Sequence, residues 1–219
     1  LLHDVECFRT LMGDLTVTTT EMFRHAPSFR AFREEVIPRL RTYPYVHIWH
    51  AGISTGQEVY SMAILLREEG IYDRCRLYAT DVNRVVLDQA RAGIYPVAKL
   101  QEYTQAYQQA GGVEPFSDYF TVAYDQAAID ESLKRNIVFA EHNLTTDAPF
   151  AEMHLVLCRN VLIYFDRDLR DRALDVLHRS IVPNGLLVLG SKESLRFSAL
   201  EHLYDEVNGE ARVYRKVRE

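Results

Sequence analysis

Apolar and polar positions follow two rhythms along the chain. Short apolar runs rich in β-formers occur at 46–49, 76–80, 137–140, 155–158 and 186–189, each bounded by polar or turn residues. Such runs read as strands, and the unbroken run Leu155-Val156-Leu157-Cys158 reads as a strand buried on both faces. Between them the period lengthens. Val59, Met62, Ala63 and Leu66 recur at i, i+3, i+4 and i+7, which predicts a helix over 57–69 with Gly70 at its stop. A second helix is predicted over 83–92, ending at Gly93 with Pro96 beyond. A third begins at Asp166 and carries Leu169, Ala173, Val176 and Leu177 on one side. Residues 16–40 read as helical, and the stretch 97–135 is less regular, with room for an extra hairpin and helix over 118–133. Pro183-Asn184-Gly185 reads as a turn, and Asn208-Gly209 with 211–215 as part of a closing hairpin.

Strand alternating with helix predicts an α/β fold: a doubly wound, mostly parallel sheet, closed by an antiparallel hairpin and carrying a small inserted β-subdomain. The expected organisation is a helical segment over 1–40, then one domain over 41–219 with the insertion around 97–135. Such sheets bind ligands beyond the carboxyl ends of their strands. Attention therefore falls on the turn 50–58, on Asp81, on His142-Asn143-Leu144 and on Arg159-Asn160.

Composition narrows this picture modestly. The chain has 219 residues, 47% hydrophobic and 26% charged, which is ordinary for one globular domain. The formal net charge of -6 argues against a nucleic-acid partner. Cys7, Cys75 and Cys158 lie far apart, with no metal or disulfide spacing, and are expected to be reduced thiols of a cytoplasmic protein. The eight histidines show no metal-ligand spacing either. No apolar run reaches the ~20 residues of a membrane span, so no membrane insertion is expected, and neither is a metal. A monomer is expected.

The first turn carries Gly52-x-x-x-Gly56, which is neither the G-x-G-x-x-G dinucleotide fingerprint nor a P-loop. Thr55-Gly56-Gln57-Glu58 also fits a capping box, in which Glu58 merely closes the helix start. Asp81 lies 25 residues past Gly56, where an acid can accept from ribose hydroxyls, typically ~20 residues past the glycine loop. It could equally cap the helix near Asn83. The residues alone point to an adenosine-bearing ligand and do not separate a nicotinamide dinucleotide from S-adenosylmethionine.

Four strings then occur in order: Thr20-x-x-Phe23-Arg24, Ser54-Thr55-Gly56-Gln57-Glu58-x-Tyr60-Ser61, Ala79-Thr80-Asp81 and Cys158-Arg159-Asn160-Val161-Leu162-Ile163-Tyr164-Phe165. Together they resemble the CheR family, the bacterial chemotaxis-receptor glutamate methyltransferases, over roughly residues 15–215. The resemblance implies S-adenosylmethionine as cofactor and S-adenosylhomocysteine as product. It implies cofactor contacts for Thr18, Thr20, Arg24, Gly52, Glu58, Asp81, Asn143, Leu144, Cys158 and Arg159. Within that set Glu58 would meet the amino group, Asp81 the ribose, and Asn143 with Leu144 the adenine. Arg24, Arg159 and Tyr164 would hold the substrate carboxylate. Without the resemblance, Arg24 reads as a solvated side chain and Tyr164 as a packing aromatic. Arg159 follows a buried strand, where a charge is costly unless paired.

The chain departs from the family at Thr18, at Gln57, at Val59 where proline is usual, and in the loop His50-Ala51-Gly52-Ile53. The family's amino-terminal helical domain is expected to be mostly absent. The short stretch 118–124 lacks the glycine-containing loop that docks some members on a receptor's terminal peptide, so that tether is not expected. The implied partner is a chemoreceptor-like helical protein. Three other readings compete: a degenerate cofactor-binding or scaffolding domain, a small-molecule methyltransferase, and, weakest, a dehydrogenase.

Overall fold

In the computed structural model, residues 20–150 and 152–217 are described. The main sheet has seven strands, ordered β6-β2-β1-β7-β8-β10-β9. Its strands are β1 (Val46–Ala51), β2 (Cys75–Asp81), β6 (Ile137–Glu141), β7 (Met153–Cys158), β8 (Ile181–Leu189), β9 (Tyr204–Asn208) and β10 (Val213–Lys216). The five from β6 to β8 are parallel, and β10 pairs antiparallel with both β8 and the edge strand β9. The doubly wound sheet and closing hairpin expected from the period are both present. Chain order reverses between β1 and β7, the position at which such sheets open a crevice.

Alternation along the strands dictates the two-sided packing. On β7, Leu155 and Leu157 join one core while Val156 and Cys158 join the other. On β1, Ile48 and Trp49 divide in the same way. The first core is covered by α3 (Gln57–Glu68), by α4 (Arg84–Ala92) and by the N-terminal helices. The second is covered by α6 (Arg167–Ser180), through Ala173, Leu174, Val176 and Leu177. Asp166 caps α6 by accepting from the Leu169 amide at 3.0 Å.

Three local readings are corrected. The helix expected over 16–40 begins at Ala26. Residues 16–19 lie outside the described residues, and 20–25 form turns with Phe23 and His25 at positive φ. The helix is also interrupted: α1 (Ala26–Ala31) and α2 (Ile37–Leu40) flank a π-helical turn, Phe32–Val36. The turn expected at 183–185 is a bulge inside β8. There Asn184 takes φ 63°, and the register with β7 jumps from Met153–Ile181 to Leu155–Leu186. Pairing with β7 on both sides of the bulge keeps the strand going where the local signal says stop.

The irregular stretch forms a small antiparallel sheet, β3-β5-β4, from β3 (Ile94–Pro96), β4 (Phe120–Ala123) and β5 (Gln126–Ile129), with α5 (Leu100–Gln109) between β3 and β4. It draws in Ile94, ahead of the expected start at 97. A buried polar network ties it to the main body. The Glu68 side chain, only 2% exposed, is paired with Arg33 and accepts from the hydroxyls of Tyr107 and Tyr119. Burial pushes the Glu68 carboxyl up, but the hydrogen bonds from Tyr107 and Arg33 outweigh it and leave the group below the usual carboxylate range.

A group held below its ordinary value stabilises the fold above its unfolded pKa, ~4.3 for Glu, and loses that contribution as pH falls through the folded value. Urea unfolding should therefore find Glu68→Gln about 1–3 kcal/mol less stable than wild type at pH 7. The gap should narrow below pH ~4.3. A gap that stays constant from neutral to acid pH would show that the ionised carboxylate is not what ties the small sheet down.

Candidate functional site

A cleft of about 700 Å³ opens at the carboxyl ends of β1, β2, β6 and β7. Each of these strands delivers a residue to it: Gly52 after β1, Asp81 at the end of β2, His142 after β6 and Arg159 after β7. Of the residues implied by the resemblance, Thr20, Arg24, Gly52, Glu58, Asp81, Asn143, Leu144, Arg159 and Tyr164 all line this one cleft. Thr18 lies outside the described residues. Cys158 does not line the cleft. Its side chain is fully buried in the second core, because alternation along β7 turns it to the α6 face.

Gly52 takes φ 76°, and a Cβ there would stand 2.4 Å from a Val161 methyl. Both facts require glycine. The carbonyl of Thr80 accepts from the Gly52 and Ile53 amides at 2.8 and 3.1 Å, folding the turn back onto β2. Gly56 is the N-cap of α3, at φ 91° and with no side-chain cap. The capping-box reading therefore fails, since Thr55 donates instead to the Gln57 side chain at 2.8 Å.

The Glu58 carboxylate is committed elsewhere. Its Oε2 accepts from Arg159 Nη1 at 2.8 Å, and its Oε1 faces His50 Nδ1 at 3.2 Å. Burial alone would raise its pKa, but the Arg159 charge and the His50 hydrogen bond more than offset this and hold it below the ordinary carboxylate range. Arg159, 5% exposed, also donates to the Arg24 carbonyl at 3.3 Å and lies 6.0 Å over the Phe29 ring. One guanidinium thus joins the end of β7, the first turn of α3 and the segment before α1. That segment is pinned a second time where the Phe23 amide donates to Ser61 Oγ at 2.9 Å. Arg24 and Tyr164 remain exposed at the cleft mouth, Tyr164 at 59%.

Asp81 accepts from the amides of Ser54 and Asn83, both at 2.9 Å. Asn83, not Asp81, caps α4 by accepting from Val85. Burial holds the Asp81 carboxyl above its usual value, against the opposing pull of those amides. Val82, Val86 and Leu144 give this end of the cleft an apolar wall.

Two residues were not singled out from sequence. His50 is buried behind Glu58. Glu193 is buried after β8, where its carboxylate accepts from the amides of Gly190 (2.6 Å), Asn160 (2.9 Å) and Ile163 (3.3 Å). It fixes the loop that carries Tyr164. An acid just past a parallel strand was the available signal. Among the described residues, no group of three or more His, Cys, Asp or Glu side chains is placed to hold a metal, and no helix is long and apolar enough to cross a membrane.

A carboxylate at each end, a glycine cradle and an apolar wall between them suit an amino-acid-bearing nucleoside. Residues 18–212 match the family described as CheR methyltransferase, SAM binding domain. A Pseudomonas putida protein named "Putative methyltransferase Cher3" is 50% identical over 99% of this chain and 79% of its own length. A chemotaxis protein methyltransferase of Vibrio anguillarum is 32% identical over 83% of this chain, which spans 66% of that relative. Among solved structures, a glycopeptide N-methyltransferase complexed with sinefungin aligns over 78% of this chain and 50% of its own, at 11% identity and a TM-score of 0.46. The fold and the cleft define a class I methyltransferase-like protein. The chain belongs to the CheR methyltransferase family, and its cofactor is S-adenosylmethionine.

Replacing Gly52 by alanine should cost about 1–2 kcal/mol for the left-handed backbone and drive Val161 toward the cleft. Calorimetry should then show S-adenosylhomocysteine bound at least about tenfold more weakly. Unchanged affinity would remove Gly52 from the binding surface.

Proposed function

We propose that this chain transfers a methyl group from S-adenosylmethionine to glutamate side chains of a chemoreceptor-like helical protein in the bacterial cytoplasm, forming methyl esters. The observation that carries the reading is the cleft mouth, where exposed Arg24 and Tyr164 line the same cleft as the half-buried Glu58–Arg159 pair. Residues 41–219 serve as the catalytic domain in this reading, with 1–40 leading into it.

Bound in the cleft, S-adenosylmethionine supplies a sulfonium methyl that an ionised carboxylate oxygen attacks without a general base. The residues therefore position and do not exchange protons. Glu58 accepts from the cofactor's amino group on the lone pairs that Arg159 and His50 leave open. Asp81 accepts from the ribose hydroxyls while its amide bonds hold it still. Leu144, Val82 and Val86 flank the adenine, beside Asn143. Thr20 closes the methionyl end, with Thr18 just ahead of it in sequence. Arg159 already spends two of its nitrogens on Glu58 and the Arg24 carbonyl, so it acts on the substrate mainly through position and charge. Arg24 and the Tyr164 hydroxyl, exposed on the cleft lining, orient the incoming carboxylate. Two weak orienting contacts suit the task, because a tight ion pair would stabilise the ground state as much as the transition state. Alignment at about 3 Å supplies much of the rate.

The short β4–β5 hairpin, with no glycine-containing loop over 118–124, supports docking by the substrate's helical surface without a terminal tether. Transfer of labelled methyl to a helical receptor fragment tests the reading. Tyr164→Phe should lower kcat/KM for the fragment about tenfold and leave S-adenosylhomocysteine affinity within about twofold. Converting the acceptor glutamates to glutamine should abolish transfer. Undiminished labelling of that glutamine fragment would overturn the proposed substrate, and transfer only to small molecules would favour an enclosed-pocket enzyme.

A further inference from the structure

His50 is the fifth residue of β1. Its side chain is completely buried and does not line the cleft. It stands behind Glu58, which does line the cleft. Its Nδ1 lies 3.2 Å from Glu58 Oε1, and its Nε2 is buried with no hydrogen-bond partner. These two facts select a tautomer. A carboxylate oxygen can only accept, so Nδ1 carries the hydrogen. A hydrogen on Nε2 would leave a buried donor unpaired, whereas a bare ring nitrogen costs less. The Nδ1–H of His50 therefore braces one carboxylate oxygen while Arg159 braces the other.

Two braces do what one cannot. Glu58 rotates about three side-chain bonds, and a single Arg159 bond would leave the carboxylate free to swing about that contact. Clamping both oxygens fixes the plane of the group and aims its open lone pairs into the cleft. We propose that His50 is a positioning residue that pre-sets Glu58 for the cofactor's α-amino group, so that the cleft selects ligands bearing that amino group. The inference rests on the reading that Glu58 meets the amino group.

Binding by calorimetry separates the two. S-adenosylhomocysteine carries the amino group and 5′-methylthioadenosine does not. His50→Leu should weaken S-adenosylhomocysteine about tenfold while 5′-methylthioadenosine changes less than about twofold. His50→Gln, which keeps a donor, should recover most of the loss. Equal weakening of both ligands would assign His50 a merely structural role, and no weakening of either would assign it none. Glu58→Gln reports on the underlying reading. If it discriminates between the ligands and His50→Leu does not, Glu58 meets the amino group and the His50 proposal fails. If Glu58→Gln does not discriminate, the reading of Glu58 itself is wrong. Nitrogen-15 spectra of the unmodified protein, with His50→Gln used for assignment, add a test that needs no leucine variant to fold. The Nδ1–H tautomer is expected, and an Nε2–H tautomer would overturn the proposal.

Discussion

The Glu58–Arg159 ion pair is the constraint on which the rest of this molecule turns. Its partners stand 101 positions apart in sequence and are brought together because β1 and β7 are neighbours in the sheet. Taking both charges out of water is costly unless geometry and further hydrogen bonds offset it. Here they do. The carboxylate gains His50, and the guanidinium gains the Arg24 carbonyl and the face of Phe29. The pair is therefore a joint between three separate stretches of chain, and the cleft exists where those stretches meet.

Everything around the joint serves to keep it in register. Two cores, one on each face of the sheet, fix the strand ends from which the cleft residues emerge. The Glu193 carboxylate anchors the loop after β7 by accepting from the Asn160 and Ile163 amides, and from the Gly190 amide after β8, so that Tyr164 is carried on a braced turn although its side chain is exposed. The segment 20–25 is held by buried Met22 and Phe23, and positive φ at Phe23 and His25, on either side of Arg24, leaves Arg24 presented at the mouth. On the far side, Glu68 and Arg33 lock the small antiparallel sheet to α3 and the N-terminal helices. Rigid supports and exposed tips are what a site needs when its work is alignment.

The strands and long helices were legible because burial on one or both faces imposes period 2 or 3.6 on the sequence, as at 155–158 and at Val59, Met62, Ala63 and Leu66. The cleft-lining set was legible for a topological reason, since parallel strands place their following residues at one edge. What escaped was decided by distant partners. The bulge at Asn184 exists because β7 pairs on both sides of it. The π-helical turn at 32–36 is an exception with a local cause, since Pro38 lacks the amide that would donate to the Glu34 carbonyl. Cys158 was expected to bring backbone to the cleft, and strand alternation places its side chain in the second core. His50 follows the same rule in reverse. It shares a face with Ile48, the face that α3 covers, so a buried histidine there points at the first turn of α3 and at Glu58.

A crystal structure of this chain with S-adenosylhomocysteine bound measures the central claim most directly. The account predicts the amino group within hydrogen-bond reach of Glu58, the ribose hydroxyls on Asp81, and the Glu58–Arg159 pair intact beneath them. A ligand bound with its amino group turned away from Glu58, or an Arg159 that leaves Glu58 to contact the ligand, would contradict it.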